Sequence, residues 1–133
     1  MTQHTLMLIK PNAVEQHHIG QIITIVEQHG FTIRNIRMFH FNDVLAHRFY
    51  NVHEGKPFFD RLIAFMTSGD TVALLLKKEN AVEELRNLIG EVEPEKRKPG
   101  TIRYQFAEGV TENAVHASDT IENAAEEIRL IFG

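Results

Sequence analysis

The chain has 133 residues, 43% of them hydrophobic and 24% charged, a formal net charge of −4 and no cysteine. This size and balance predict one globular domain, residues 1–133, and the missing cysteines exclude disulfides and thiolate metal sites. Mild acidity disfavours a broad nucleic-acid-binding face, and the longest strongly apolar run, Val72 to Leu76, is too short to cross a bilayer; with no leader-like N-terminus, the expected location is cytoplasmic.

Leu6 to Ile9 reads as a buried strand, after which Ile19, Ile22, Ile23 and Val26 recur at helical spacing until Gly30 marks a C-cap. Phe31 to Phe41 is rich in β-formers, but its alternation slips at Arg34-Asn35, which predicts a long strand carrying a bulge. Leu45, Phe49 and Val52 mark a helix, and Phe59, Leu62, Ile63 and Met66 form one stripe of another. Val72 to Leu76 suits a buried strand, and Asn80 to Glu83 reads as the cap of a helix carrying Val82, Leu85, Leu88 and Ile89. Gly90 to Val110 is loop-rich. A last strand leads into a helix expected to start near Ser118-Asp119 and to bury Ile121, Ala124, Ala125 and Ile128. The compact arrangement of this order is a ferredoxin-like α/β (α+β) plan, βαββαβ, with a four-stranded antiparallel sheet and helices on one face.

Among the eight histidines, His116 stands out because it falls just before the expected last helix. Backbone N–H groups and the positive end of the dipole at a helix start attract anions and disfavour an imidazolium. A neutral imidazole there suits attack on phosphorus. Phe58 lies to one side of the Phe59–Met66 stripe and so leaves an aromatic ring at the edge, fit for a core contact, a subunit interface or a ligand. Lys10 closes the first strand, Arg86 flanks an apolar stripe and Arg103 sits in a Gly/Pro-punctuated loop. No set of residues has the spacing of a metal site held by protein side chains alone; His17-His18 are adjacent, and His47 and His53 share a helix face poorly. The Gly-rich phosphate loop of P-loop kinases is absent as well.

The string Asn113-Ala-Val-His116-Ala-Ser118-Asp119 resembles the active-site signature of the nucleoside diphosphate kinases. Thr5 to Val14, with Lys10-Pro11, resembles that family's opening strand and lysine, and Phe49-Tyr50, His53 and Pro57-Phe58-Phe59 resemble its nucleotide-binding helical hairpin. Phe65-Met66-Thr67-Ser68-Gly69, Pro99-Gly100-Thr101-Ile102-Arg103 and Phe106-Ala107 follow in the family's order, so the likeness covers nearly the whole chain.

The resemblance implies the same fold with the Tyr50 to Phe65 hairpin as an insertion, and a ping-pong reaction. His116 would take the γ-phosphoryl group of a nucleoside triphosphate, mainly ATP, and pass it to a nucleoside or deoxynucleoside diphosphate. It implies a catalytic set of His116, Glu127, Ser118, Lys10 and Tyr50, with Ser118 and Glu127 around the histidine. Lys10 and Asn113 would hold the sugar hydroxyls, Tyr50 and His53 would lie near the phosphates, and Arg86 and Arg103 would bind them. Phe58 would stack on the base with Leu62 beside it and Val110 opposite, a grip indifferent to base identity. Mg²⁺ is expected on the nucleotide's phosphates, and the chain is expected to form a homo-oligomer, either a tetramer or a hexamer. Which ring nitrogen of His116 reacts is not specified by the spacing.

Two positions, 92 and 70, depart from the family pattern, and a third, Ala117, is a small change that the family also uses. Val92 stands where a phosphate-binding threonine is usual, Asp70 where proline is common, and Ala117 where glycine is more frequent. The lost hydroxyl at position 92 predicts weakened nucleotide handling, whereas Asp70 bears on turn stiffness or subunit contacts. Val92 also supports an alternative, a nucleotide-binding regulatory protein of the same fold with weak or no transfer. A third reading, an assembly module using Phe58 and Phe65 as contacts, predicts no nucleotide effect on melting.

Overall fold

β1 (Thr2–Ile9) is completely buried from Thr5 to its end, and it forms the centre of the molecule in the computed structural model, which describes residues 1–133. It pairs antiparallel with β3 (Asp70–Glu79) on one side and β4 (Val115–Ala117) on the other, so that Leu6 faces Leu75 and Leu8 faces His116. β2 (Thr32–His40) completes the four-stranded sheet in the order β2-β3-β1-β4. The anticipated bulge is a register shift between Ile33 and Asn35, where β2 slips against β3. The ferredoxin-like antiparallel sheet is therefore present.

Helices cover both faces of it. Met7, Ile9, Val72, Leu74 and Leu76 point to the side packed by α2 (Ile19–Gln28) and α5 (Ala81–Ile89), with Ile102 and Phe106 of α6 (Ile102–Phe106) joining them. Leu6, Leu8 and Ala73 point the other way, against α3 (Asp43–Phe49), α4 (Phe59–Met66) and Ile131 of α7 (Ile121–Phe132). The layer expected from sequence is one of two. The second arises because the α3–α4 hairpin and α7 need the opposite face for their own apolar stripes.

Several boundaries differ from the sequence reading for local reasons. α1 (Pro11–Glu15) was not anticipated; proline at its first turn tolerates the missing N–H. Asn80 does sit at the N-cap of α5, but in a left-handed conformation (φ 53°) without a side-chain cap bond; Gln3 Oε1 accepts from Val82 N instead. The stretch Gly90 to Val110 is not all loop, since it contains the turn Pro94–Lys96 and α6, capped by Thr101. α7 begins at Ile121 with Thr120 as its cap, and its buried residues are Ala124 and Ile131; Ile121 and Ala125 are exposed and Ile128 is half-buried. Gly30 follows α2 at φ 87°, a left-handed conformation that suits glycine. None of the helices is long and apolar enough to cross a membrane.

Candidate active site

A cavity of about 580 Å³ lies between the α3–α4 hairpin, α7 and the two loops that flank α6. Lys10 enters it straight from the end of β1, where the backbone N–H donates to Ala114 O (2.8 Å) and ties the strand to the Asn113 loop. Its side chain is buried without a protein hydrogen-bond partner. Burial first, and the neighbouring Arg103 second, lower the ammonium to about 7, with Glu112 opposing.

His116 sits in the middle of β4, paired with Leu8, rather than beside a helix start. The expected helix N-terminus is not its neighbour, because α7 opens only at Ile121 and its cap Thr120 already accepts from Asn123 N. What orders the ring is Glu127 on α7, whose Oε1 lies 2.8 Å from His116 Nε2. The same oxygen accepts from Ser118 Oγ at 2.7 Å. A carboxylate oxygen is an acceptor only, so Nε2 carries the proton and Nδ1 is left without a protein partner. Phe49 and Tyr50 meet the ring edge-on at 5.1 and 6.2 Å between centroids and restrict its tilt.

Two arginines converge from the other side. Arg103 is 94% buried by accessible surface, only 6% remaining exposed, and donates to Gly90 O (2.9 Å) and Val115 O (3.0 Å). Burial is the main cause that lowers its guanidinium to about 10, followed by the charges of Arg86 and Arg97, while Glu91 and Glu93 oppose them. Arg86 reaches across from α5 to Ala117 O (3.2 Å). Gly90 is obligatory for this wall: φ is 84°, and a Cβ there would lie 2.7 Å from Thr101 Cβ. Besides Arg48, three cations, Lys10, Arg86 and Arg103, thus line one cavity. Their mutual repulsion is what an anionic ligand such as a polyphosphate relieves.

Phe58 and Val110 are exposed at the cavity's other end, 45% and 57% respectively, with buried Leu62 beside them. Large apolar groups left open to solvent on a cavity wall suit a flat apolar ligand surface. Between the two ends, Tyr50 Oη, His53 Nδ1 and Asn113 Oδ1 are buried without a protein partner, while Asn113 Nδ2 donates to Val110 O (2.8 Å). Burial raises the Tyr50 phenol, with Glu127 adding to the effect and Arg103 opposing it. His53 is lowered by burial and then by Lys56. Unpartnered buried polar groups on residues that share one cavity mark where a polar ligand bonds.

The structure brings Lys10, Tyr50, His53, Phe58, Leu62, Arg86, Val92, Arg103, Val110, Asn113, His116 and Glu127 onto this one cavity. Ser118 lies behind it, fully buried against Glu127. Sequence reasoning overlooked Arg48, Asn51, Glu93 and Asn123, which also line the space, and gave no role to Asp119 of the signature string, which lines it too. The spacing of Asp119 and Asn123 was an available signal, for Asn123 Nδ2 donates to Asp119 Oδ1 at 2.6 Å and that bond is the first cause lowering the Asp119 carboxyl. Asp70 opens β3 opposite His40, away from the cavity.

Comparison with known proteins agrees with this geometry. The profile of the family described as nucleoside diphosphate kinase matches residues 3–133. A nucleoside diphosphate kinase of Chlamydia abortus is 46% identical over 130 residues, spanning 98% of this chain and 92% of that one. One from Histophilus somni is 47% identical over the same shares. Among solved structures, the nucleoside diphosphate kinase of Aquifex aeolicus superposes with a TM-score of 0.96 at 40% identity, covering 100% of this chain and 96% of that one. A halophilic nucleoside diphosphate kinase from Halobacterium salinarum, solved in complex with CDP, gives 0.94 at 33% identity, covering 99% and 88%.

Proposed function

Because the chain belongs to the nucleoside diphosphate kinase family, and transfers the terminal phosphate of a nucleoside triphosphate to a nucleoside diphosphate, we propose that His116 carries that phosphate between the two. The observation that supports this most is the Glu127 contact: with Nε2–H held at 2.8 Å, Nδ1 is the ring nitrogen with a free lone pair. In the first half-reaction Nδ1 attacks the γ-phosphorus of the donor, mainly ATP, and the bond to the β–γ bridging oxygen breaks, leaving the diphosphate. The second half reverses this with a new diphosphate as acceptor. Positive charge that grows on the ring as the N–P bond forms is stabilised by Glu127, itself fixed by Ser118.

Lys10, Arg86 and Arg103 bind the phosphates and neutralise charge on the transferring group; Tyr50 and His53 flank them. Asn113 Oδ1, free of protein partners, suits a sugar hydroxyl, which Lys10 shares. Phe58 and Leu62 receive the base on one side and Val110 on the other. Nothing in that apolar slot reads a base edge, which favours broad base specificity. Mg²⁺ would travel on the nucleotide, held by its phosphate oxygens and water, with Lys10, Arg86 and Arg103 placed to meet the remaining phosphate charge.

The chain is proposed to act as one domain, in a cytoplasmic setting, within a closed homo-oligomer; exposed Ile36 and Met38 on the outer strand β2 support the last point. The alternative of nucleotide binding without transfer has Val92 in its favour, whereas the ordered His116–Glu127–Ser118 set speaks for transfer. Initial rates at varied ATP and varied acceptor decide between them. Parallel double-reciprocal lines are the expected result; intersecting lines would rule out a shared phosphoenzyme.

A further inference from the structure

Arg97 does not line the cavity, yet it bonds to both loops that do. It follows the turn Pro94–Lys96 and is half-buried, unlike the exposed residues on either side of it. Its Nη2 donates to Val92 O at 2.7 Å and to Gly109 O at 2.8 Å. Val92 belongs to the wall on the phosphate side, and Gly109 precedes Val110, the wall opposite Phe58. One nitrogen therefore closes a bridge between segments that approach the nucleotide from its two ends.

The Gly109 segment has no regular secondary structure. Polar contacts hold it: Glu108 N and Gly109 N donate to Glu112 O, Asn12 Nδ2 donates to Glu108 Oε1 (3.0 Å) and Glu112 O (3.2 Å), Gln16 Nε2 donates to Glu108 Oε2 (2.6 Å), Asn113 Nδ2 donates to Val110 O (2.8 Å), and Arg61 Nη2 donates to Glu112 Oε1 (3.1 Å). The Arg61 pair is largely exposed and so contributes little. Of these contacts Arg97 alone bonds this segment to the phosphate-side loop.

We propose that Arg97 is a positioning residue that ties the Val110 wall to the phosphate-side loop at Val92, and so keeps Val110 in place opposite Phe58 in the slot that grips the nucleobase. This rests on reading the cavity as the nucleotide site. The bridge lies behind the wall, so its loss loosens the grip on the base without removing a group that contacts phosphate.

The test compares the KM for nucleoside diphosphates with the inhibition constant of inorganic tripolyphosphate, which has the phosphates and no base. Arg97→Met keeps the stem but removes the donors and is expected to raise KM about tenfold, with kcat and the tripolyphosphate constant within about twofold of the parent. Arg97→Lys can donate to both carbonyls from one nitrogen and should restore most of the KM. Arg97→Gln, too short to reach both, should behave like Arg97→Met and serves if that variant fails to fold. Equal KM in all variants overturns the proposal, and so does a tripolyphosphate constant that rises in step with KM, which would make Arg97 a phosphate-binding charge. Failure of ADP to raise the melting temperature of the parent chain would instead overturn the nucleotide-site reading.

Discussion

Glu127 Oε1 lies 2.8 Å from Nε2 of His116, and Ser118 donates to the same oxygen at 2.7 Å. A helix residue thus holds the ring of a strand residue, and the serine holds the holder. This fixes the tautomer before any nucleotide arrives, because the reactive lone pair belongs to whichever nitrogen Glu127 does not occupy.

Replacing Glu127 with glutamine keeps an acceptor in place but removes the charge opposite a ring that becomes cationic. Losing one charge-assisted hydrogen bond of about 1.5–3 kcal/mol should lower kcat roughly 10- to 100-fold with KM little changed. Steady-state kinetics of Glu127→Gln checks this. A rise in KM at constant kcat would assign Glu127 to ground-state binding instead.

Lys10 links binding to pH. Its ammonium is lowered by burial, then by Arg103, from 10.5 to about 7. Between those values the unfolded chain binds more protons than the folded one, so this residue's penalty on folding is full below about pH 7 and fades as pH rises toward 10.5. Phosphates favour the charged form, so ADP binding at about pH 8 should take up a proton. Titration calorimetry in buffers of different ionisation heat measures the uptake, which Lys10→Met should abolish; binding without proton uptake in the parent chain contradicts the role given to Lys10.

Phe58 offers a ring that is 45% exposed, so its removal leaves little unfilled core. Phe58→Ala should weaken ADP binding by about 1–3 kcal/mol, the usual worth of one base stack, while the melting temperature of the free protein hardly moves. Thermal melts with and without ADP separate the two effects. An unchanged ADP shift would remove Phe58 from the base site.

At Val92 the side chain is half-buried on the cavity wall and supplies no hydrogen bond. Val92→Thr should raise kcat/KM, by about tenfold if the hydroxyl reaches a phosphate oxygen. An equal or lower value would mean that water already serves that oxygen, since the Thr101 hydroxyl donates to Lys98 O and does not line the cavity.

Most of the sheet was legible because period-2 and period-3.6 patterns are local. The bulge at Arg34-Asn35 was visible as a break in alternation. The unbroken apolar run Leu6 to Ile9 is buried on both faces, a signal of the second helical layer that the one-face plan did not use. The start of α7 was misplaced for a chemical reason. Ser118-Asp119 looks like a cap, but the serine hydroxyl is engaged by Glu127 and the aspartate by Asn123, so Thr120 caps the helix. The members of the site could be read from a signature, while their geometry could not: the choice between Nδ1 and Nε2 depends on a residue one helix away, and the Arg97 bridge runs to backbone carbonyls, which leave no mark in sequence.

The central claim is that His116 carries the phosphate, and a phosphoenzyme trap tests it most directly. The protein is mixed with γ-labelled ATP and Mg²⁺, tested for acid-labile, base-stable label, and chased with unlabelled GDP or dCDP, with His116→Ala alongside. Label that forms only when His116 is present and then moves to the added diphosphate is the expected result. Transfer to the diphosphate by His116→Ala at the parent's rate, or label that survives acid, would contradict the account.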